Sequence, residues 1–388
     1  MNIHSTIKKF IYALKVFIIN FIILYLLLFI GELYFQLTSN NLFSESKYIK
    51  REKLIKKYNE TVHLAFAPYK LLNKNNELLP LSGISNTRTL LCEDDIEYIE
   101  YFSDNYGFNN TSNIKDKEIL IIGDSYVHGL CLKREDIFSS KFDSINLAMQ
   151  ANGPLIQYAT YKEYAHIYNF NKLIWVFTPD NDFYDFNKET KNNILLKYLD
   201  DKNYSQNLIK KDNIKNKIIE NYFNYRERKF KETIKHYHLD LKYIRSSISK
   251  LIDEISFKNK KVNDETYKIE YYNTTLKDIK NILNRVNNDL KEQGKEFLVV
   301  FNAIHPMYKY PKSSLHREHY KGIILGTKKI KQNLELNSIS FIDFEDFVSS
   351  NFNENNIDYI FKKKNGGYDH YTIEGNKIIA EQIKDYLK

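Results

Sequence analysis

Two cysteines, Cys92 and Cys131, are all that the 388 residues contain. So few exclude a disulfide-rich scaffold and any metal site built on thiolates alone. The pair is able to bridge outside the cell, but two ordinary buried thiols are the default expectation. The chain also lacks a basic motif with interleaved stacking aromatics. Its Lys and Arg read as scattered within a composition biased to Lys, Asn, Ile and Tyr, so the formal charge of +8 points to no nucleic-acid partner. No small-x-small cleavage pattern follows Ile30, where the chain reads Gly31-Glu32-Leu33-Tyr34-Phe35, which argues against a removed signal peptide. No motif asks for a cofactor.

A hydrophobic share of 43% with 15% aromatic residues is enough for a packed core. The longest apolar stretch runs from Phe10 to Phe35, and between Val16 and Ile30 only Asn20 interrupts it. Roughly 20 apolar residues span the ~30 Å hydrocarbon layer, and Lys8 and Lys9 precede the run. Residues 1–9 are therefore expected as a cytoplasmic tail, 10–35 as an uncleaved transmembrane anchor, and the bulk of the chain on the outer side.

Residues 36–112 are polar and without sustained periodicity, and read as a stalk leading into the domain. From Lys117 the texture changes. Short runs rich in aliphatic residues at 118–122, 144–148, 172–177, 296–301 and 338–344 look like buried parallel strands. Helix-compatible stretches lie between several of them, so an open parallel sheet covered on both faces is expected over 113–388. Residues 186–295 break the pattern with helical spacing, notably at Ile218–Ile255 and Tyr267–Leu290, and read as a helical insertion that is either a lid or a packing elaboration. The pairs His236/His238 and His316/His319 lack a third ligand at usable spacing, so no metal site is expected.

The chemistry gathers where the first of these strands ends, at Gly123-Asp124-Ser125. In an open α/β sheet ligands lie beyond the carboxyl ends of the strands, and a serine in the turn leaving one presents its hydroxyl there. Gly123 would permit a sharp turn, and the Ser125 N–H would face a developing oxyanion. Four blocks follow one another in order. They are Ile121-Ile122-Gly123-Asp124-Ser125-Tyr126-Val127-His128-Gly129, Ile145-Asn146-Leu147-Ala148-Met149-Gln150-Ala151-Asn152-Gly153, Pro179-Asp180-Asn181-Asp182, and Asp369-His370-Tyr371-Thr372 opening a helix over 376–387. In these blocks the chain resembles the SGNH, or GDSL-type, hydrolase superfamily, over residues 106–185 and 296–388.

The resemblance implies a three-layer α/β/α, flavodoxin-like domain with Ser125 as nucleophile, His370 as base and an aspartate, Asp369, orienting it. It implies an oxyanion hole from the N–H of Ser125, a backbone N–H at Ala151 or Gly153, and the Asn181 amide. Three departures stand out. Alanine holds the position of the second-block glycine, and Pro179 replaces the third-block glycine. The carboxylate is adjacent to His370 rather than two or three residues before it, and neighbouring side chains in an extended segment diverge. Asp358 is the alternative orienting acid. A single-anchor SGNH domain outside the cell resembles those that add or remove acetyl groups on envelope polysaccharide or peptidoglycan, and a transferase would need a separate membrane protein as acyl donor. A lipid or thioester hydrolase, and a catalytically silent glycan-binding domain, are the other readings.

Overall fold

The structure, a computed structural model, describes residues 3–38, 47–74, 76–93, 98–111, 115–236, 264–310, 314–364 and 367–388. They divide into two compact units, one of residues 1–53 with 222–264 and the other of 54–221 with 265–388. The first contains helix α1 (Ile3–Thr38) and most of α2 (Lys47–Tyr58). Within α1, Tyr12–Glu32 has a mean hydropathy of 2.6 and is exposed over most of its length, with Glu32 buried at its end, so this helix is long and apolar enough to cross a membrane.

The second unit is built on five parallel strands: β4 (Ile119–Ile122), β5 (Ser144–Asn146), β6 (Lys172–Phe177), β7 (Glu296–Phe301) and β8 (Ser340–Asp343), in the order β5-β4-β6-β7-β8. Ile122 pairs with Trp175, Phe177 with Phe301 and Phe301 with Asp343. All four residues of β4 and the last five of β6 and β7 are buried, as aliphatic runs in a sheet covered on both faces require. Successive side chains point to opposite faces. On one, Ile121, Val176 and Val300 pack with Val127, Val348 and, from the C-terminal helix Ile373–Leu387, Ile379 and Ile383. On the other, Trp175 donates to Gln157 in α4 (Pro154–Tyr164), and Phe177 meets Phe183 of α5 (Pro179–Glu189) with ring centroids 5.4 Å apart. Each fully buried side chain of this kind contributes ~1.5–3 kcal/mol. The three-layer α/β/α architecture follows.

The stretch expected as a stalk is folded over much of its length. A three-stranded sheet pairs β1 (Val62–Leu64) in parallel with β2 (Arg88–Glu93), and β2 antiparallel with β3 (Tyr98–Phe102). Asn110 fastens it to the main sheet: its Nδ2 donates to the Asn146 carbonyl and its Oδ1 accepts the Asn146 N–H, both at 2.9 Å. The expectation of two free thiols is also corrected. Cys92 in β2 and Cys131, which has φ 60°, are disulfide-bonded with their Cα atoms 5.5 Å apart. The turn after the short helix α3 (Ser125–His128) brings the two together.

Between β6 and β7 lie α5, α6 (Asn193–Asp200), α7 (Asp212–His236) and α8 (Asp264–Glu292). Much of this insertion is core of the second unit, with Leu195, Tyr198, Ile219, Leu283, Val286 and Leu290 buried. Lys215 is wholly buried, its Nζ donating to the Tyr106 carbonyl at 2.8 Å and paired with Asp212 at 2.8 Å. The part of the expected helical run beyond residue 236 lies outside the described residues, as does His238.

His128 closes α3 in full burial, its ring 5.7 Å from that of Tyr101 and neither ring nitrogen hydrogen-bonded. Burial pushes its pKa down to about 4. The unfolded chain, at the ordinary imidazole value near 6.5, takes up the proton first. This contribution is therefore complete above pH ~6.5 and is lost as pH falls towards 4, to a ceiling of roughly 3 kcal/mol. His128→Leu is expected to lose less Tm than wild type between pH 7 and 5 in thermal denaturation. Parallel losses in the two proteins would show that another group sets the acid sensitivity.

Candidate active site

Strand order β5-β4-β6-β7-β8 is the flavodoxin-like 2-1-3-4-5, whose switch point lies between β4 and β6. Ser125 follows β4 and Asn181 follows β6, so both stand beside it. Ser125 is the first residue of α3, and Asp124 caps that helix by accepting the Tyr126 N–H at 3.0 Å. Gly123 is required by close packing: a Cβ there would lie 2.4 Å from Cγ2 of Val127 and 3.2 Å from the Val176 carbonyl.

His370 arrives on β10 (Gly367–Tyr371), which pairs antiparallel with β9 (Phe361–Lys364). Its Nε2 lies 2.7 Å from Oγ of Ser125, across 245 residues of chain. The adjacent carboxylate does reach the imidazole. The β9–β10 register shifts between Tyr368 and Tyr371, which breaks the alternation that would send neighbouring side chains apart. Oδ1 of Asp369 accepts the His370 backbone N–H at 2.9 Å and lies 2.6 Å from Nδ1. Asp358 instead takes the Lys363 ammonium at 2.7 Å, so the alternative acid is set aside. The His370 ring packs 4.7 Å from that of Tyr126, which in turn packs 4.7 Å from Tyr371. The Tyr371 hydroxyl accepts the Ala303 N–H at 3.0 Å and donates to Oδ1 of Asn302 at 2.7 Å, fixing the strand that carries the histidine.

The second block resolves between its two candidates. Gly153 donates its N–H to Oε1 of Glu189 at 2.6 Å, and a Cβ there would sit 2.8 Å from both Glu189 oxygens. Glu189 also accepts the Leu155 N–H at 2.9 Å and thereby caps α4. Gly153 is thus committed to α4 and corrected out of the oxyanion set. Ala151 adopts φ 52°, the left-handed conformation expected of the glycine it replaces, at a cost of about 1–2 kcal/mol. Its N–H makes no hydrogen bond among the described residues. Asn181 donates from Nδ2 to Oδ2 of Asp124 at 2.9 Å, which fixes the amide plane. Pro179 fits at the first turn of α5, where no N–H is needed.

Two acids went unremarked in the sequence. Asp124, fully buried, both caps the helix that begins at Ser125 and holds Asn181; burial raises its pKa against those hydrogen bonds. Asp180 accepts the His305 N–H at 3.1 Å, and burial, reinforced by Asp124, pushes it up to about 7. The run Pro-Asp-Asn-Asp was the available signal. Of the histidine pairs, His319 lies 3.4 Å from the Asp180 carbonyl and 4.8 Å, ring to ring, from Tyr308, while the side chains of His236 and His316 lie outside the described residues. Among the described residues no group of three or more His, Cys, Asp or Glu is placed to hold a metal.

No family profile matches the chain, and no curated protein does. Solved structures similar to it include the acetyl xylan esterase AlAXEase, at 11% identity and TM-score 0.37 over 70% of this chain and 100% of that one. Another is a GDSL-like lipase of Bacteroides thetaiotaomicron VPI-5482, at 12% and 0.35 over 70% and 87%. A third is a member of the lipolytic G-D-S-L family from Veillonella parvula DSM 2008, at 10% and 0.33 over 69% and 96%. Likeness at that level carries no weight of its own. By its own strand order and helical layers, this protein has a three-layer α/β/α fold with flavodoxin-like strand order.

Proposed function

We propose that the chain is a membrane-anchored serine esterase acting on an O-acylated polysaccharide or peptidoglycan of the cell envelope. The observation that carries it is the line Ser125 Oγ, His370 Nε2 at 2.7 Å, His370 Nδ1 and Asp369 Oδ1 at 2.6 Å. A serine hydroxyl next to an imidazole that a carboxylate orients is the arrangement that activates a weak nucleophile. His370 takes the hydroxyl proton as Oγ bonds to the acyl carbon, and the carbonyl oxygen becomes an oxyanion. The N–H groups of Ser125 and Ala151 and the Asn181 amide receive it. Collapse expels the alcohol, which leaves with the proton from His370. Water, deprotonated by the same imidazole, then releases the acid and restores Ser125. If a glycan hydroxyl replaces that water the net reaction is acyl transfer, which needs a donor protein, since a single helix forms no conduit.

Two features support an outer location. The Tyr12–Glu32 helix follows a short basic N-terminus, and the Cys92–Cys131 bridge is of the kind that persists in oxidising compartments. An anchored domain meets glycan on its own side of the membrane. Against a silent domain, the Asp369–His370 contact and the left-handed conformation of Ala151 support the catalytic reading.

The test is fluorophosphonate labelling of the full chain, with the adduct located by peptide mass, followed by hydrolysis of acetyl and long-chain aryl esters. Labelling at Ser125 with a preference for acetate is expected. A folded protein that takes no label would end the esterase reading, and a preference for long chains would favour the lipid hydrolase.

A further inference from the structure

The positive charge of this protein is not scattered. Residues 1–53 and 222–264, the unit that contains α1, hold 18 Lys and Arg against 9 Asp and Glu; the remaining residues hold 39 against 40. The two sums, +9 and −1, make the formal +8, so the whole excess belongs to one unit and the unit bearing Ser125 is near neutral. Part of this excess gathers because residues 47–53 and 222–236, far apart in sequence, pair in space.

Within that unit nine of the 18 Lys and Arg, and six of the nine net charges, lie on two paired helical segments. Residues 47–53 of α2 and 222–236 of α7 meet through the rings of Tyr48 and Phe230, 5.2 Å apart, and through Arg51 and Glu227 at 2.6 Å. Together they carry nine Lys and Arg but only Glu52, Glu227 and Glu232. All three carboxylates already face cations of the same pair: Lys231 lies 3.5 Å from Glu52 and 2.7 Å from Glu227, and Lys229 lies 2.9 Å from Glu232. Lys47, Lys53, Arg226, Arg228, Lys229 and Lys231 are exposed. Against these six exposed cations stand two exposed carboxylates, Glu52 and Glu232, so the described face carries a net excess of four and stabilises once it meets anions.

Chain connectivity says which anions are near. α1 ends at Thr38 and α2 begins at Lys47, so the eight residues between them hold the start of α2 within roughly 30 Å of the end of α1 even if fully extended. We infer that the paired segments 47–53 and 222–236 bind the anionic phospholipid headgroups of the membrane that α1 enters. The inference rests on reading α1 as a membrane span. It gives the distal part of the insertion a role separate from the chemistry at Ser125.

The experiment uses the full-length chain reconstituted into phosphatidylcholine vesicles, with and without phosphatidylglycerol, and measures lysine acylation by an N-hydroxysuccinimide ester with peptide mass readout. Lys53, Lys229 and Lys231 are expected to react several-fold more slowly when phosphatidylglycerol is present. The difference should vanish at about 0.5 M salt, where screening reaches only a few ångströms. Lys202 and Lys388, exposed in the other unit, are the internal control. The triple variant Lys53→Glu, Arg228→Glu, Lys229→Glu should lose protection at Lys231 with ester hydrolysis unchanged. Equal rates in both vesicle types overturn the inference. Protection by soluble polyphosphate in detergent without protection by vesicles also overturns it, in favour of a soluble polyanion. Alkaline carbonate extraction reports on the anchor separately: release of the protein refutes the span itself, whereas retention with equal rates refutes only the headgroup contact.

Discussion

Ser125→Ala is expected to lower kcat for an aryl acetate by roughly 10⁴- to 10⁶-fold and to abolish fluorophosphonate labelling, with the Tm unchanged. The size follows from what remains. Without Oγ no covalent intermediate forms, His370 has no proton to take, and only substrate binding and the oxyanion donors still act. Stability is spared because, among the described residues, the side chain of Ser125 hydrogen-bonds only His370, and that imidazole remains held by Asp369. Steady-state rates and a melting curve on the same preparation decide the matter. A variant that keeps a tenth of wild-type activity would mean that some other group attacks the ester.

Asp369→Asn is expected to reduce kcat by about 10² to 10⁴ with little change in KM, while Asp358→Asn leaves both unaltered. Oδ1 of Asp369 holds the ring through Nδ1, which fixes the tautomer that leaves Nε2 free to accept the Ser125 proton. It also stabilises the imidazolium that forms on the way to the tetrahedral intermediate. An amide is able to present its NH₂ to Nδ1 instead, which places the ring proton on the wrong nitrogen. The carboxylate is partly exposed, with 27% of its side chain accessible, so solvent screens part of its effect and the lower half of the range is the better expectation. Equal losses in the two variants would mean that Asp369 does not act through the ring. An unaffected Asp369→Asn would leave the orientation to the packing of Tyr126 against His370.

What could be read from the residues was whatever local pattern determines. The three central strands of the main sheet announce themselves because a strand buried on both faces must be apolar throughout, as Ile119–Ile122 and Phe297–Phe301 are. Ser125 and His370 were legible because each follows or precedes a recognisable element in a fixed order. Asp369 was not. Its reach depends on a register shift set by pairing with β9, and no single strand encodes its partner's register. The choice between Ala151 and Gly153 was hidden for a similar reason, since Glu189, 36 residues on, claims the glycine N–H. The small sheet of residues 62–102 escaped because its first strand has three residues, too few to establish a period, and the disulfide escaped because Cys92 and Cys131 become neighbours only when that sheet docks.

The position of the insertion bears on how the chain is made. β6 and β7 are paired along six residues at the centre of the sheet, yet residues 178–295 must be synthesised between them. Closing so long a loop adds little entropy cost per residue, but it delays the pairing and raises the contact order. Until β7 emerges, the edge of β6 is bare, with the Trp175, Val176 and Phe177 backbone groups unpaired and their side chains open to other nascent chains. Chains that terminate early within the insertion are therefore the aggregation-prone products of this gene. The central pairing of the sheet therefore waits on the emergence of β7, after residues 178–295 have been made.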